Sequence, residues 1–204
     1  MYYDYGGFGQ AYFERDAVQS PHPAGYSYYT REFLPFEWYA EKINSELTSQ
    51  GINPSGSKVL VVGCAYGYTV EYLRQNWDID AYGMDISSWA VSQAPASVSG
   101  EIYQGDARSG QDLKSVRQQT PGGPFDAVVI ECVLSCLTDS EAQTAVSNAR
   151  SEAKSALITR VWSSDGSDVN PDYYNTKTLS AWQSLCDPNG DDYWLTEYEF
   201  RPPT

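Results

Sequence analysis

An α/β fold is predicted: a doubly wound, mostly parallel sheet of six or seven strands with helices on both faces. Three observations carry this. Apolar runs of strand length alternate with amphipathic stretches of helical period from residue 58 onward. Residues 58–73, Lys-Val-Leu-Val-Val-Gly-Cys-Ala-Tyr-Gly-Tyr-Thr-Val-Glu-Tyr-Leu, run from a buried strand (Val59 to Val62) into a turn of small residues (Gly63, Ala65, Gly67) and then a helix. A second strand ends Tyr82-Gly83-Met84 and delivers Asp85 to the neighbouring strand tip. Strand, small-residue turn, helix and acid are how a parallel sheet presents a nucleotide-like ligand at the carboxyl ends of its strands.

The elements follow in order. Residues 1–50 read as a Tyr-rich arm and helix acting as a lid, part of the same domain as residues 51–204, which bind the ligand. Eight of the 17 tyrosines lie before residue 40, and the arm has no clear period until Thr30. From Thr30 to Thr48, Phe33, Phe36, Tyr39, Ala40, Ile43 and Leu47 recur at helical spacing, and Asn53-Pro54-Ser55-Gly56 ends the helix. The pattern then predicts strand 59–62, helix 67–76, strand 80–84, helix 87–93, strand 101–104, helix 110–118, strand 125–131, helix 140–153, strand 156–162, helix 176–186 and strand 193–200. Thr138 and Glu141 have capping-box spacing. The tail Arg-Pro-Pro-Thr makes no further strand.

Composition narrows the function. Asp and Glu outnumber Lys and Arg 27 to 13, for a net charge of −14. No basic cluster offers a nucleic-acid footprint, so nucleic acid is disfavoured as a partner. Acid excess with few lysines predicts a halophilic host, or a virus of one, where salt screens self-repulsion. Stability indifferent to KCl concentration would contradict that. No apolar run approaches the roughly 20 residues of a membrane span, and no signal-like segment opens the chain, so a cytoplasmic location is expected. Four scattered cysteines and one histidine, His22, predict reduced thiols and no metal site.

Three ligands compete for the turn. A phosphate-binding loop needs a lysine before Ser or Thr, and Gly67-Tyr68-Thr69 lacks one. A dinucleotide turn needs a third glycine where Tyr68 stands. S-adenosylmethionine, which has no phosphates, fits a small-residue turn facing an acid. Two further stretches agree: Tyr103-Gln104-Gly105-Asp106-Ala107 ends the third strand with a carboxylate, and Phe125-Asp126-Ala127-Val128-Val129-Ile130-Glu131-Cys132 brings Glu131 and Cys132 to the rim.

At these residues the chain resembles the class I S-adenosylmethionine-dependent methyltransferases, whose four strand-end elements occur here in the same order between residues 55 and 200. The resemblance implies their Rossmann-like fold, with Gly63, Cys64, Ala65 and Gly67 along the methionine part of the cofactor. It implies Asp85 on the ribose, Ile86 against the adenine, and Asp106 and Ala107 at the adenine edge. Glu131 joins this set, and alternatively pairs with an arginine. Two positions depart from the family: Val61 where an acid is usual, and Ala65 for the middle glycine.

The implied activity is in-line methyl transfer, which mostly needs alignment. Tyr12, Tyr28, Tyr29, Cys132 and Trp162 are candidates for lining or closing the acceptor pocket, with Cys132 and Cys136 read as small hydrophobes rather than nucleophiles. No residue is identified as a catalytic base. With neither an Asn/Asp-Pro-Pro-Tyr run nor a Pro-Cys pair, the acceptor is expected to be a small molecule or a protein side chain. The alternative is an inactive methyltransferase-like domain serving as a binding or structural subunit, such as a virion component.

Overall fold

The computed structural model describes Phe8, Gly9, Phe13 and residues 36–161, 175–187 and 193–197, the last as backbone only. Six strands form one sheet in which every neighbouring pair is parallel: β1 (Lys58–Val62), β2 (Asp80–Asp85), β3 (Ile102–Gln104), β4 (Phe125–Glu131), β5 (Ala153–Val161) and β6 (Tyr193–Glu197). Their spatial order is β3-β2-β1-β4-β5-β6. The chain winds outward to β3, then restarts from β1 toward β6. The carboxyl ends of β1 and β4 therefore diverge, and such a switch point is where open parallel sheets bind ligands.

The connecting helices are α1 (Phe36–Ser49), α2 (Tyr68–Trp77), α3 (Ser88–Ser92), α4 (Gly110–Gln119), α5 (Asp139–Glu152) and α6 (Leu179–Cys186). They cover both faces. Ala40, Ile43 and Leu47 of α1 and Val70 and Leu73 of α2 pack on Val59, Val61, Val129 and Ile158. Leu113 and Val116 of α4, Ala142 and Val146 of α5 and Trp182 of α6 pack on Leu60, Val62, Val128 and Ile130. Because the sheet is buried on both sides, β1 reads as a continuous apolar run, not an alternating one. Each of its fully buried aliphatic side chains stabilises the fold by about 1.5–3 kcal/mol.

Element boundaries differ from the sequence expectation where polar residues mask them. β5 starts at Ala153, three residues early, because Lys154 and Ser155 extend the strand into solvent at its amino end. α6 starts at Leu179, capped by Thr178, whose hydroxyl accepts from the Ala181 N–H at 3.2 Å. The expected capping box is present: Glu141 N–H donates to Thr138 Oγ1 (3.3 Å), and Thr138 N–H donates to Glu141 Oε2 (2.9 Å). Residues 30–35 of the expected first helix, residue 162 and residues 198–200 of the expected strands lie outside the described residues.

Candidate functional site

The turn leaving β1 is built by its neighbour β2. Gly63 N–H and Cys64 N–H both donate to the Met84 carbonyl (2.7 and 3.3 Å), and Gly67 N–H closes back on the Cys64 carbonyl at 2.8 Å. Gly63 has φ +81°, and a Cβ there would overlap Val133 Cγ2 and lie 2.8 Å from the Glu131 carbonyl oxygen. Glycine is required here twice over, by backbone angle and by the close approach of β4. Gly67, also at φ +81°, precedes α2, and a Cβ there would lie 2.7 Å from Ile102 Cδ1.

Ala65, in the middle of the turn, holds φ +49°. A residue with a Cβ in this left-handed region is strained by roughly 1–2 kcal/mol. Ala65→Gly removes that strain but gives the unfolded chain more freedom, a term of about 0.4–1 kcal/mol. Stability should therefore rise by no more than about 1.6 kcal/mol. Ala65→Val, with a branched Cβ at a 7% exposed position, should lose at least about 2 kcal/mol by chemical denaturation. Equal stability of the Val variant would contradict the turn geometry.

Asp85 faces this turn. Its Oδ2 accepts from Ala65 N–H at 2.8 Å and its Oδ1 from Ser87 N–H at 2.9 Å. The side chain is buried, and no described cation pairs with it. Burial pushes its carboxyl above the usual aspartate range, partly opposed by the Ser87 and Ala65 N–H groups. Each oxygen has one donor and room for another. The carboxylate thus braces the turn while keeping acceptor capacity for hydroxyls. Ile86, the next residue, is 41% exposed and is the exposed large hydrophobic among the described residues. It offers an apolar surface beside the acid.

Asp106, at the tip of the third strand, is gripped by Arg108, with Nε 3.0 Å from each carboxylate oxygen and a terminal nitrogen 2.7 Å from Oδ2. Arg108 also reaches Glu141 Oε1 at 2.7 Å, joining the tip of β3 to α5. The Arg108 hydrogen bonds hold the Asp106 carboxyl below the usual range. Ala107 is buried behind this clamp, its carbonyl accepting from Asn148 Nδ2 at 3.2 Å.

Glu131, at the tip of β4, takes the arginine pairing left open by the sequence. Its Oε1 lies 3.4 Å from a terminal nitrogen of Arg160, its register partner on β5. Arg160 is 3% exposed, donates to the Tyr39 carbonyl at 3.0 Å and lies over the Tyr39 and Trp38 rings at 4.8 and 5.7 Å. Glu131 Oε2 is buried without a hydrogen-bond partner. Cys132 holds φ +55°, a second strained non-glycine residue at the switch point. Burial, then the Glu131 charge, push its thiol well above the usual cysteine range, which suits a small packing residue and not a nucleophile.

The arm reaches the site through residues that sequence patterning did not single out. Phe13 is 3% exposed and packs with Ala65 and Ala90, and its ring centroid is 5.4 Å from that of Tyr66. Phe8 and Trp89 border the same cluster. The expected lid residues Tyr12, Tyr28, Tyr29 and Trp162, and His22, lie outside the described residues. Among the described residues no group of three or more His, Cys, Asp or Glu is placed to hold a metal, and no helix is long and apolar enough to cross a membrane.

Residues 59–155 match the protein family described as Methyltransferase domain. That match spans just under half of the chain. The fold is similar to that of an amino pentose methyltransferase from Micromonospora echinaspora, solved with S-adenosylmethionine bound, at 20% identity and TM-score 0.52, covering 67% of this chain and 55% of that one. It is similar to magnesium protoporphyrin IX methyltransferase from Synechocystis (23% identity, TM-score 0.51, 76% and 68% covered). A sugar N-methyltransferase from Streptoalloteichus is a third (20% identity, TM-score 0.50, 64% and 50% covered). At these identities the likeness is one of fold. The chain spans about half the length of the first of these structures. No curated protein sequence matches the chain.

Proposed function

We propose that the chain is an S-adenosylmethionine-dependent methyltransferase acting on a small molecule or protein side chain by in-line methyl transfer. The observation that carries this reading is Asp85. A buried carboxylate with no cation partner, aimed at a small-residue turn and half-filled with donors, suits a diol that supplies two more. Arg74 and Lys58 are turned to the opposite end of the sheet, Arg74 binding Asp80 and the Ala81 carbonyl and Lys58 the Gly123 carbonyl, while Arg108 and Arg160 at the carboxyl ends are engaged by Asp106, Glu141 and Glu131. A turn without cations disfavours a pyrophosphate and accepts a sulfonium.

In this reading Gly63, Cys64, Ala65 and Gly67 seat the methionine part, Asp85 binds the ribose, Ile86 lies along the adenine and the backbone at Ala107 meets its edge. Asp106 serves that edge indirectly, by fixing the β3 tip through Arg108. When bound, the cofactor supplies an activated methyl group with its own leaving group. The protein's part is then alignment and exclusion of water, worth about 7–11 kcal/mol for well-oriented partners. Phe13 and Tyr66 provide apolar cover beside the turn.

A second reading, an inactive methyltransferase-like subunit, is favoured by the seating of Phe13 on Ala65 and by the Arg108 clamp on Asp106. Titration calorimetry with S-adenosylmethionine separates the two. The enzyme reading expects micromolar binding; no binding at millimolar ligand leaves the subunit reading.

A further inference from the structure

The proposed cofactor contacts step across the sheet, from the tip of β3 (Ala107) to β2 (Asp85) to β1 (the 63–67 turn). Strands lie about 4.8 Å apart, so a ligand laid along that line brings its reacting end to the boundary of β1 and β4. Whatever it reacts with lies over the tips of β4 and β5. Glu131 and Arg160 are the paired residues at those tips.

Their groups are unequally used. Arg160 is pinned by the Tyr39 carbonyl, two aromatic rings and Glu131 Oε1. Glu131 Oε2 has nothing, although the side chain is only 12% exposed. An unpaired buried carboxylate oxygen costs more than an ordinary unmade hydrogen bond, so a donor bound there is strongly favoured. The Glu131 backbone closes on the turn, its carbonyl oxygen 2.8 Å from where a Cβ on Gly63 would stand.

Resting on the methyltransferase reading above, we infer that the methyl acceptor is an amine, and that Glu131 Oε2 binds its N–H and takes its proton. An ammonium offers donors and charge together. A carboxylate acceptor would meet Glu131 as a like charge. The net charge of −14 draws cations toward the protein. The step is a proton transfer: R–NH3+ and the Glu131 carboxylate become R–NH2 and the carboxylic acid, leaving the nitrogen lone pair free. Arg160, 3.4 Å from Oε1, favours the neutral amine over a second cation at the same spot.

The test is calorimetric titration of the full chain with benzylamine and benzyl alcohol, each with and without S-adenosylhomocysteine. Benzylamine should bind at least tenfold more tightly than the alcohol. Glu131→Gln should abolish that preference and keep S-adenosylhomocysteine affinity within threefold. If Glu131→Gln fails to fold with Arg160 left unpaired, the double variant Glu131→Met/Arg160→Met removes both buried charges and should lose the preference equally. Equal binding of amine and alcohol, no binding of either, or a preference that survives these substitutions overturns the inference. Loss of S-adenosylhomocysteine affinity in Glu131→Gln also overturns it, by returning Glu131 to the cofactor. If S-adenosylhomocysteine fails to bind the wild-type chain, the cofactor reading falls, and the benzylamine preference of the free chain still decides whether Glu131 is an amine site.

Discussion

Asp85→Ala is expected to weaken S-adenosylhomocysteine binding by at least about 100-fold. Two ribose hydroxyls donating to a carboxylate are worth about 1.5–3 kcal/mol each, and every 1.4 kcal/mol is tenfold. The substitution also orphans the Ala65 and Ser87 N–H groups, so the turn loses its brace. Calorimetry reads the affinity, and circular dichroism confirms that the sheet survives. A loss under fivefold would remove Asp85 from the site. pH gives the same residue a second signature. Burial first raises its carboxyl in the folded state, so the fold takes up this proton at a higher pH than the unfolded chain does. Its ionised form therefore costs stability at neutral pH, and that cost is relieved as pH falls through the raised folded value. Ligand affinity runs the other way, since the hydroxyls need the carboxylate. Affinity should fall on acidification with a midpoint above the usual aspartate range, while the Asp85→Ala variant shows no such inflection.

Gly63→Ala is expected to destabilise the fold by about 2–5 kcal/mol, combining left-handed strain of about 1–2 with overpacking of about 1–3. The decisive neighbour is the Glu131 carbonyl oxygen, 2.8 Å from the new Cβ. It belongs to the β4 backbone, which cannot yield without disturbing its pairing with β1. Gly56→Ala is the control: φ is +76°, but nothing lies within 4 Å of a Cβ there. Its loss should be confined to strain. Urea denaturation midpoints at unchanged slope measure both. Equal losses at the two glycines would mean that β4 does not press on the turn.

These two residues were legible because their signals are local. A glycine leaving a strand and an acid ending a strand are fixed by backbone geometry within a few residues. The doubly wound sheet was legible for the same reason, since burial on both faces makes β1, β4 and β5 read as apolar runs. What the chain's order conceals is pairing at a distance. Arg160 meets Glu131 only after a helix and a turn intervene, and its place within an apolar strand is the single hint that it has a buried partner. Arg108 was hidden differently: two residues past Asp106 on a loop, it folds back onto that carboxylate, and no periodicity marks such a return. Phe13 sits in a stretch without period, so its packing against Ala65 follows from the assembled turn and not from the arm's own pattern. The strain at Ala65 and Cys132 is likewise visible only once β1 and β4 are side by side.

The most direct measurement is a crystal structure of the chain grown with S-adenosylhomocysteine. Both ribose hydroxyls should lie within hydrogen-bond distance of the Asp85 carboxylate, with the thioether over the 63–67 turn and the adenine against Ile86. A nucleoside seated elsewhere, or an Asp85 carboxylate still satisfied only by Ala65 and Ser87 with ligand in the crystal, would contradict the account.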